Sequence, residues 1–162
     1  MRCKKFSSAR DFKDILRWNE EDDKDHHLLA FAVASNDENI CREILSSRDE
    51  LGSELLNSCV PNDSHGNFIG IPKNATMLMI GMMLASPSIV SMLLESGCSP
   101  NLVDAFGNDA FMYACASGCV ENMKLWLQKF QNHDIERRNQ IGASSLIIAT
   151  QVGFNKLSAV RF

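Results

Sequence analysis

The chain has 162 residues, enough for one domain or for one domain with a tail. Hydrophobic residues make up 45 % and charged residues 22 %, ordinary globular values that exclude wholesale disorder and a collagen-like chain. A net charge of −4 argues against nucleic acid as the primary partner, because phosphate binding requires a basic surface.

In chain order, the first predicted element is a short amphipathic helix over residues 8–18. Phe12, Ile15, Leu16 and Trp18 fall near one face, with Asp11, Lys13 and Asp14 on the other. The acidic run Glu20-Glu21-Asp22-Asp23-Lys24-Asp25 follows and reads as a solvated connector into the next helix. It lacks the spaced oxygen ligands and glycine turn that a cation loop would need. From Asn74 to Leu94 the chain carries no formal charge. That length reaches the range of a membrane span, but Ser86-Pro87-Ser88 interrupts it with a turn and a fresh N-cap. Two short helices therefore fit better than one spanning helix, and no membrane span is expected.

Self-similarity organises the rest. Thr76-Met77-Leu78-Met79-Ile80-Gly81 aligns with Asp109-Ala110-Phe111-Met112-Tyr113-Ala114 and with Ser144-Ser145-Leu146-Ile147-Ile148-Ala149, at offsets of 33 and 35 residues. Gly107 and Gly142 each stand two residues before the anchor, where a tight turn needs a positive φ. Ala85, Gly118 and Gly153 mark one equivalent turn between a first and a second helix. An earlier copy fits the same frame through Leu29–Ala32, Asn36 at the turn, and Ile40-Cys41 followed by Ile44-Leu45. Helix pairs are predicted over 27–46, 76–96, 109–130 and 144–162.

With these anchors in register the sequence resembles the ankyrin repeat. Leu93-Leu94-Glu95-Ser96-Gly97-Cys98-Ser99-Pro100-Asn101 is close to that family's second-helix ending, and Asp104-Ala105-Phe106-Gly107 to its β-turn. The resemblance implies an all-α ankyrin-repeat solenoid of stacked helix–turn–helix pairs with projecting β-turns. The expected organisation is a capping helix and connector over 1–25 and a repeat domain over 26–162. Its copies fall at about 26–50, 74–106, 107–141 and 142–162, with a long insertion at 51–73. The family's proline and histidine are missing at the helix starts, where Met77, Ala110 and Ser145 stand in the proline place. The third copy carries two extra residues around Phe130-Gln131-Asn132. The last copy is incomplete, which suggests a piece of a longer array or an alternative end. It would leave Leu146, Ile148, Ala149 and Leu157 as an apolar face open to self-association.

The repeat frame absorbs several residues that would otherwise invite chemistry. Six cysteines without a secretory signal or a CxxC pair read as reduced thiols in a cytoplasmic or nuclear protein. Cys98 and Cys115 occupy alanine places and Cys41 a branched apolar one, so all three are expected to be buried core residues. Cys115, Cys119 and His133 would make only an improvised metal site, because the two cysteines straddle a helix end. Asn74-Ala75-Thr76 matches a glycosylation sequon, but Thr76 is the repeat's own helix-capping position. His26, His27 and His65 read as structural or solvated. No phosphate loop, dinucleotide fingerprint, nucleophile elbow or HExxH motif is present, so no catalytic residue, cofactor or metal is assigned.

What remains is surface. In ankyrin-like arrays a protein partner meets the turn tips and the first-helix face. Carried over place by place, this gives Lys73, Met83 and Leu84 in the second copy. It gives Ala105, Phe106, Asn108, Ala116 and Ser117 in the third, and Gln140, Ile141, Ala143, Gln151 and Val152 in the fourth. Phe106 and Ile141 share one tip place, and an exposed aromatic is a typical hot spot. The resemblance thus implies a non-enzymatic protein-binding scaffold or adaptor. The alternative is the targeting part of a larger enzyme or signalling protein whose catalytic portion lies beyond residue 162.

Overall fold

The computed structural model describes residues 24–46, 56–58 and 74–151. Seven helices run through them, with no strand among the described residues: α1 Lys24–Ser35, α2 Glu38–Ser46, α3 Met77–Leu84, α4 Pro87–Glu95, α5 Ala110–Ser117, α6 Val120–Lys129 and α7 Ser145–Gln151. Three of the helix pairs predicted from the repeat and the first helix of the fourth are present, the first pair starting three residues early at Lys24. The capping helix over 8–18, most of the 51–73 insertion and the second helix of the last copy lie outside the described residues.

Local chemistry starts the inner helices α3 and α5 where the anchors predict. Thr76 caps α3, its hydroxyl accepting from Met79 N at 3.5 Å while Met79 Sδ takes the Thr76 N–H. Asp109 caps α5 by accepting from Met112 N at 2.9 Å. Ser86 caps α4 and Pro87 occupies its first turn, so the charge-free stretch from Asn74 to Leu94 breaks into two helices. No helix among the described residues is long and apolar enough to cross a membrane.

Stacking then buries what one unit cannot. Inner helices pack in the order α1, α3, α5, α7, and outer helices in the order α2, α4, α6. An inner helix touches a neighbour on each side as well as its own outer helix, which explains why α3 and α5 are apolar nearly all round. Leu29, Val33, Met77, Met79, Met82, Ile89, Leu93, Met123 and Trp126 belong to one continuous core. At the far end Leu146 is exposed, Ile148 is half-buried and Ala149 is buried. Leu157 and Gly153 lie outside the described residues.

The helix–helix turns differ in a way that the copies do not advertise. Asn36 and Gly118 both adopt the left-handed conformation, φ 60° and 69°, whereas Ala85 is extended. The extended turn is held from both neighbours instead. From the first copy, Asn36 Oδ1 accepts from Ser86 N at 2.6 Å, and Ser86 Oγ donates to Glu38 Oε1 at 3.1 Å. From the third copy, the fully buried Asn122 Nδ2 donates to the carbonyls of Gly81, Met82 and Ala85 at 3.4, 3.2 and 2.9 Å. The Met82 and Ala85 carbonyls at the end of α3 thereby find a donor, and Gly81 O, which already accepts from Ala85 N at 2.9 Å, gains a second.

Cys41, Cys98 and Cys115 are buried free thiols, as their repeat places predict. Cys98 Sγ donates to Leu56 O at 3.8 Å, and Cys115 Sγ lies 3.6 Å from Met123 Sδ. Burial pushes the thiols of Cys98 and Cys115 from 9.0 up to about 12, with the Asp109 carboxylate adding to the rise at Cys115. Native-state labelling of both thiols at pH 8 is expected to be slower than in denaturant by about two orders of magnitude or more, because the reactive species is the thiolate. Mass-spectrometric quench-labelling checks this, and comparable rates in the two states would contradict it.

After α6 the chain turns at Phe130, whose N–H bonds Trp126 O at 2.7 Å. His133 then inserts against Phe111 and Trp126 with ring centroids at 5.0 and 5.6 Å. Burial holds its pKa below the usual 6.5, opposed by Asp109 and Asp134 and reinforced by Arg137. A folded pKa below the unfolded one means that this residue's contribution is complete above pH 6.5 and is lost as pH falls through the folded value. Urea titrations between pH 7 and 5 should show stability falling on acidification, and falling less steeply in His133→Gln. Equal slopes for the two proteins would remove the assignment.

Candidate protein-binding face

Each of the two described projecting turns is organised by one side chain. Asp104 N donates to Asn108 O at 2.9 Å and Gly107 N to Asp104 O at 3.0 Å, closing the five-residue loop. Asp104 Oδ1 accepts from Phe106 N and Asn108 N, both at 2.8 Å. Its Oδ2 accepts from Asn108 Nδ2 at 2.8 Å and from the Tyr113 hydroxyl at 3.0 Å. Burial and the Asp104 charge and hydrogen bond raise the Tyr113 phenol well above its usual range, so it stays a donor. Gly107, at φ 78°, takes the conformation that lets the loop return.

The next turn repeats this geometry with asparagine in the organising place. Asn139 Oδ1 accepts from Ile141 N at 3.2 Å and Ala143 N at 2.8 Å, and Gly142 sits at φ 80°. Two bonds then tie the turns together. Asn139 Nδ2 donates to Asn108 Oδ1 at 2.7 Å, and Gln140 N to Phe106 O at 2.9 Å. The consequence is a pair of apolar tips at fixed spacing. Phe106 is 51 % exposed and Ile141 78 % exposed, large values for apolar side chains on such well-ordered turns.

The structure places the remaining sequence-derived residues in two strips. Ala105 is half-buried and Gln140 exposed beside the tips. Met83 and Leu84 close α3, Ala116 and Ser117 close α5, and Gln151 closes α7, all half-buried except the exposed Gln151. Asn108 is half-buried and committed to Asp104 and Asn139. Ala143 is only 6 % exposed and its main chain closes the second turn, so it shapes the tip and offers little contact area. Lys73 and Val152 lie outside the described residues.

Sequence reasoning missed Val103, an exposed apolar residue next to the organising Asp104, and Arg138, whose Nη1 donates to Gly142 O at 2.9 Å. Both immediately precede their turns at one repeat-equivalent place, which the 35-residue offset identifies.

The stacked pairs, their paired inner helices and the projecting turns define a helical repeat array. A family model described as "Ankyrin repeats (3 copies)" matches residues 77–162, more than half of the chain. This protein belongs to the ankyrin-repeat family. A search of curated proteins finds no match. Ankyrin repeats are in general modules for binding other proteins and are typically non-catalytic.

Proposed function

We propose that this protein is a non-enzymatic scaffold or adaptor that binds a partner protein across its turn tips and inner-helix ends. The observation that carries the reading is the coupled pair of tips, with Phe106 and Ile141 presented on turns hydrogen-bonded to one another. Ordering these side chains in advance lowers the entropic cost of association. Apart from Arg138, whose guanidinium donates to Gly142 O, every described residue assigned to this face is uncharged although the chain carries a net charge of −4. Recognition therefore rests on apolar burial and hydrogen bonds, and the partner segment is expected to be apolar or aromatic. Buried free thiols suit a reducing compartment, cytoplasmic or nuclear. Exposed Leu146 on α7 supports a secondary tendency to self-associate.

The experiment is affinity capture with the intact chain, compared with Phe106→Ala/Ile141→Ala and with a control variant, Lys124→Ala, on the outer helix. Purified partners should lose about 30-fold or more in affinity for the double variant, as expected of hot-spot truncation, and none for the control. Thermal unfolding should stay within about 0.5 kcal/mol of the parent because the tips are exposed. A partner captured equally by all three proteins would exclude this face.

A further inference from the structure

The third copy carries a titratable group where the second carries a small thiol. Cys98 and His133 each stand six residues before the side chain that organises the following turn, Asp104 and Asn139. The imidazole takes its place in a loop lengthened by two residues, edge-on to Phe111 and Trp126, with its side chain 14 % exposed. With the ring there, Asp109 Oδ2, Trp126 Nε1 and His133 Nε2 are shut off from solvent, and none has a hydrogen-bond partner. His133 Nε2 stands 3.9 Å from Asp109 Oδ2, too far for a hydrogen bond.

The loop is pinned at both ends and lightly held between them. Phe130 N bonds Trp126 O at 2.7 Å, while Asp134 accepts from Arg137 N at 3.2 Å and, through Oδ1, from Glu136 N at 3.0 Å. Between these points the chain is held by the bond from His133 N to Phe130 O at 3.0 Å and by the seat of the imidazole, with Gln131 and Asn132 exposed. That seat suits the neutral ring. An imidazolium in it would exchange water for aromatic walls and a carboxylate beyond hydrogen-bond reach. Asp109 at the N-cap of α5 and Asp134 in the loop favour the charge, and Arg137 opposes it. Lys129 of α6 also lines the cleft, and the second copy contributes only uncharged Pro100 and Asn101. Burial outweighs the two carboxylates, so the proton prefers the unseated ring and acidification favours opening by linkage. We propose that Phe130–Asp134 is a proton-operated latch: neutral His133 keeps it shut, and protonation of the imidazole releases the loop while the helices stay stacked. Opening uncovers Phe111 and Trp126, an aromatic surface that is 2 % and 1 % exposed in the shut form.

The test is hydrogen exchange of the intact chain by NMR at pH 7.5 and 5.0, corrected for the intrinsic rate at each pH. The reporters are the His133 amide and the Trp126 indole N–H, the latter assigned among the two tryptophans by its loss in Trp126→Phe. Protection at both should fall by about threefold or more at pH 5.0 and recover at pH 7.5. Protection at Met123 N and Ile80 N, inside α6 and α3, should stay the same. In His133→Gln the indole should lose its pH dependence. Asp109→Asn keeps the cap on Met112 N but removes a carboxylate that steadies the charged ring, so its latch should open further at the same pH. If His133→Gln does not fold, the parent decides: the midpoint of the His133 ring-proton shift must coincide with loss of indole protection. Constant or rising protection, a fall shared by Met123 and Ile80, an unchanged response in folded His133→Gln, or mismatched midpoints would overturn the proposal. None of these outcomes bears on the Phe106 and Ile141 face, so the two readings stand or fall separately.

Discussion

Asn122→Asp is expected to destabilise the array by about 3–5 kcal/mol, the size associated with an uncompensated buried charge. In the native protein a fully buried amide donates to three carbonyls at the end of α3. The substitution replaces those donors with carboxylate oxygens facing three carbonyl oxygens, at the negative end of a helix dipole. Urea unfolding near pH 7 measures the loss. The penalty belongs to the ionised form, so the gap from the parent should narrow as pH approaches about 4 and the buried carboxyl takes up a proton. Asn122→Ala should cost less, about 1–3 kcal/mol, because it strands the Met82 and Ala85 carbonyls without adding a charge. A pH-independent loss for Asn122→Asp would place the effect in packing instead.

Asp104→Ala is expected to cost about 2–4 kcal/mol and to abolish partner binding through the turn tip. Four donors lose their acceptor at once: two main-chain amides, the Asn108 amide and the buried Tyr113 hydroxyl. Without them Phe106 is no longer held at its tip place, and the bonds from Asn139 and Gln140 lose a fixed partner. Partner affinity should therefore fall as far in Asp104→Ala as in Phe106→Ala, and the double variant should fall little further. Asp104→Asn should recover most of the turn, since Asn139 organises the next one with the same two main-chain bonds. Additive losses in the double variant would show that Asp104 does not act by positioning Phe106.

Helix pairs, inner-helix caps and projecting turns were legible because they depend on local chemistry repeated at a fixed offset. Thr76 and Asp109 each satisfy amides within their own first turn, and Gly107 and Gly142 each relieve a local steric conflict at positive φ. Burial of Cys98 and Cys115 was legible for the same reason, since equivalent places in a stack share their surroundings. The contacts decided by the tertiary structure join residues far apart in the chain. Asn122 reaches the end of α3 across 37–41 positions and Asn36 reaches Ser86 across 50, and nothing in either neighbourhood names its target. Burial then makes those amides matter, because an unpaired carbonyl costs little in water and much inside a stack. The packing of His133 against Trp126 and Phe111 arises in the same way. Two residues beyond the repeat length showed that the third copy departs from the pattern, but only the folded path of that loop sets His133 against Trp126 over the N-cap of α5.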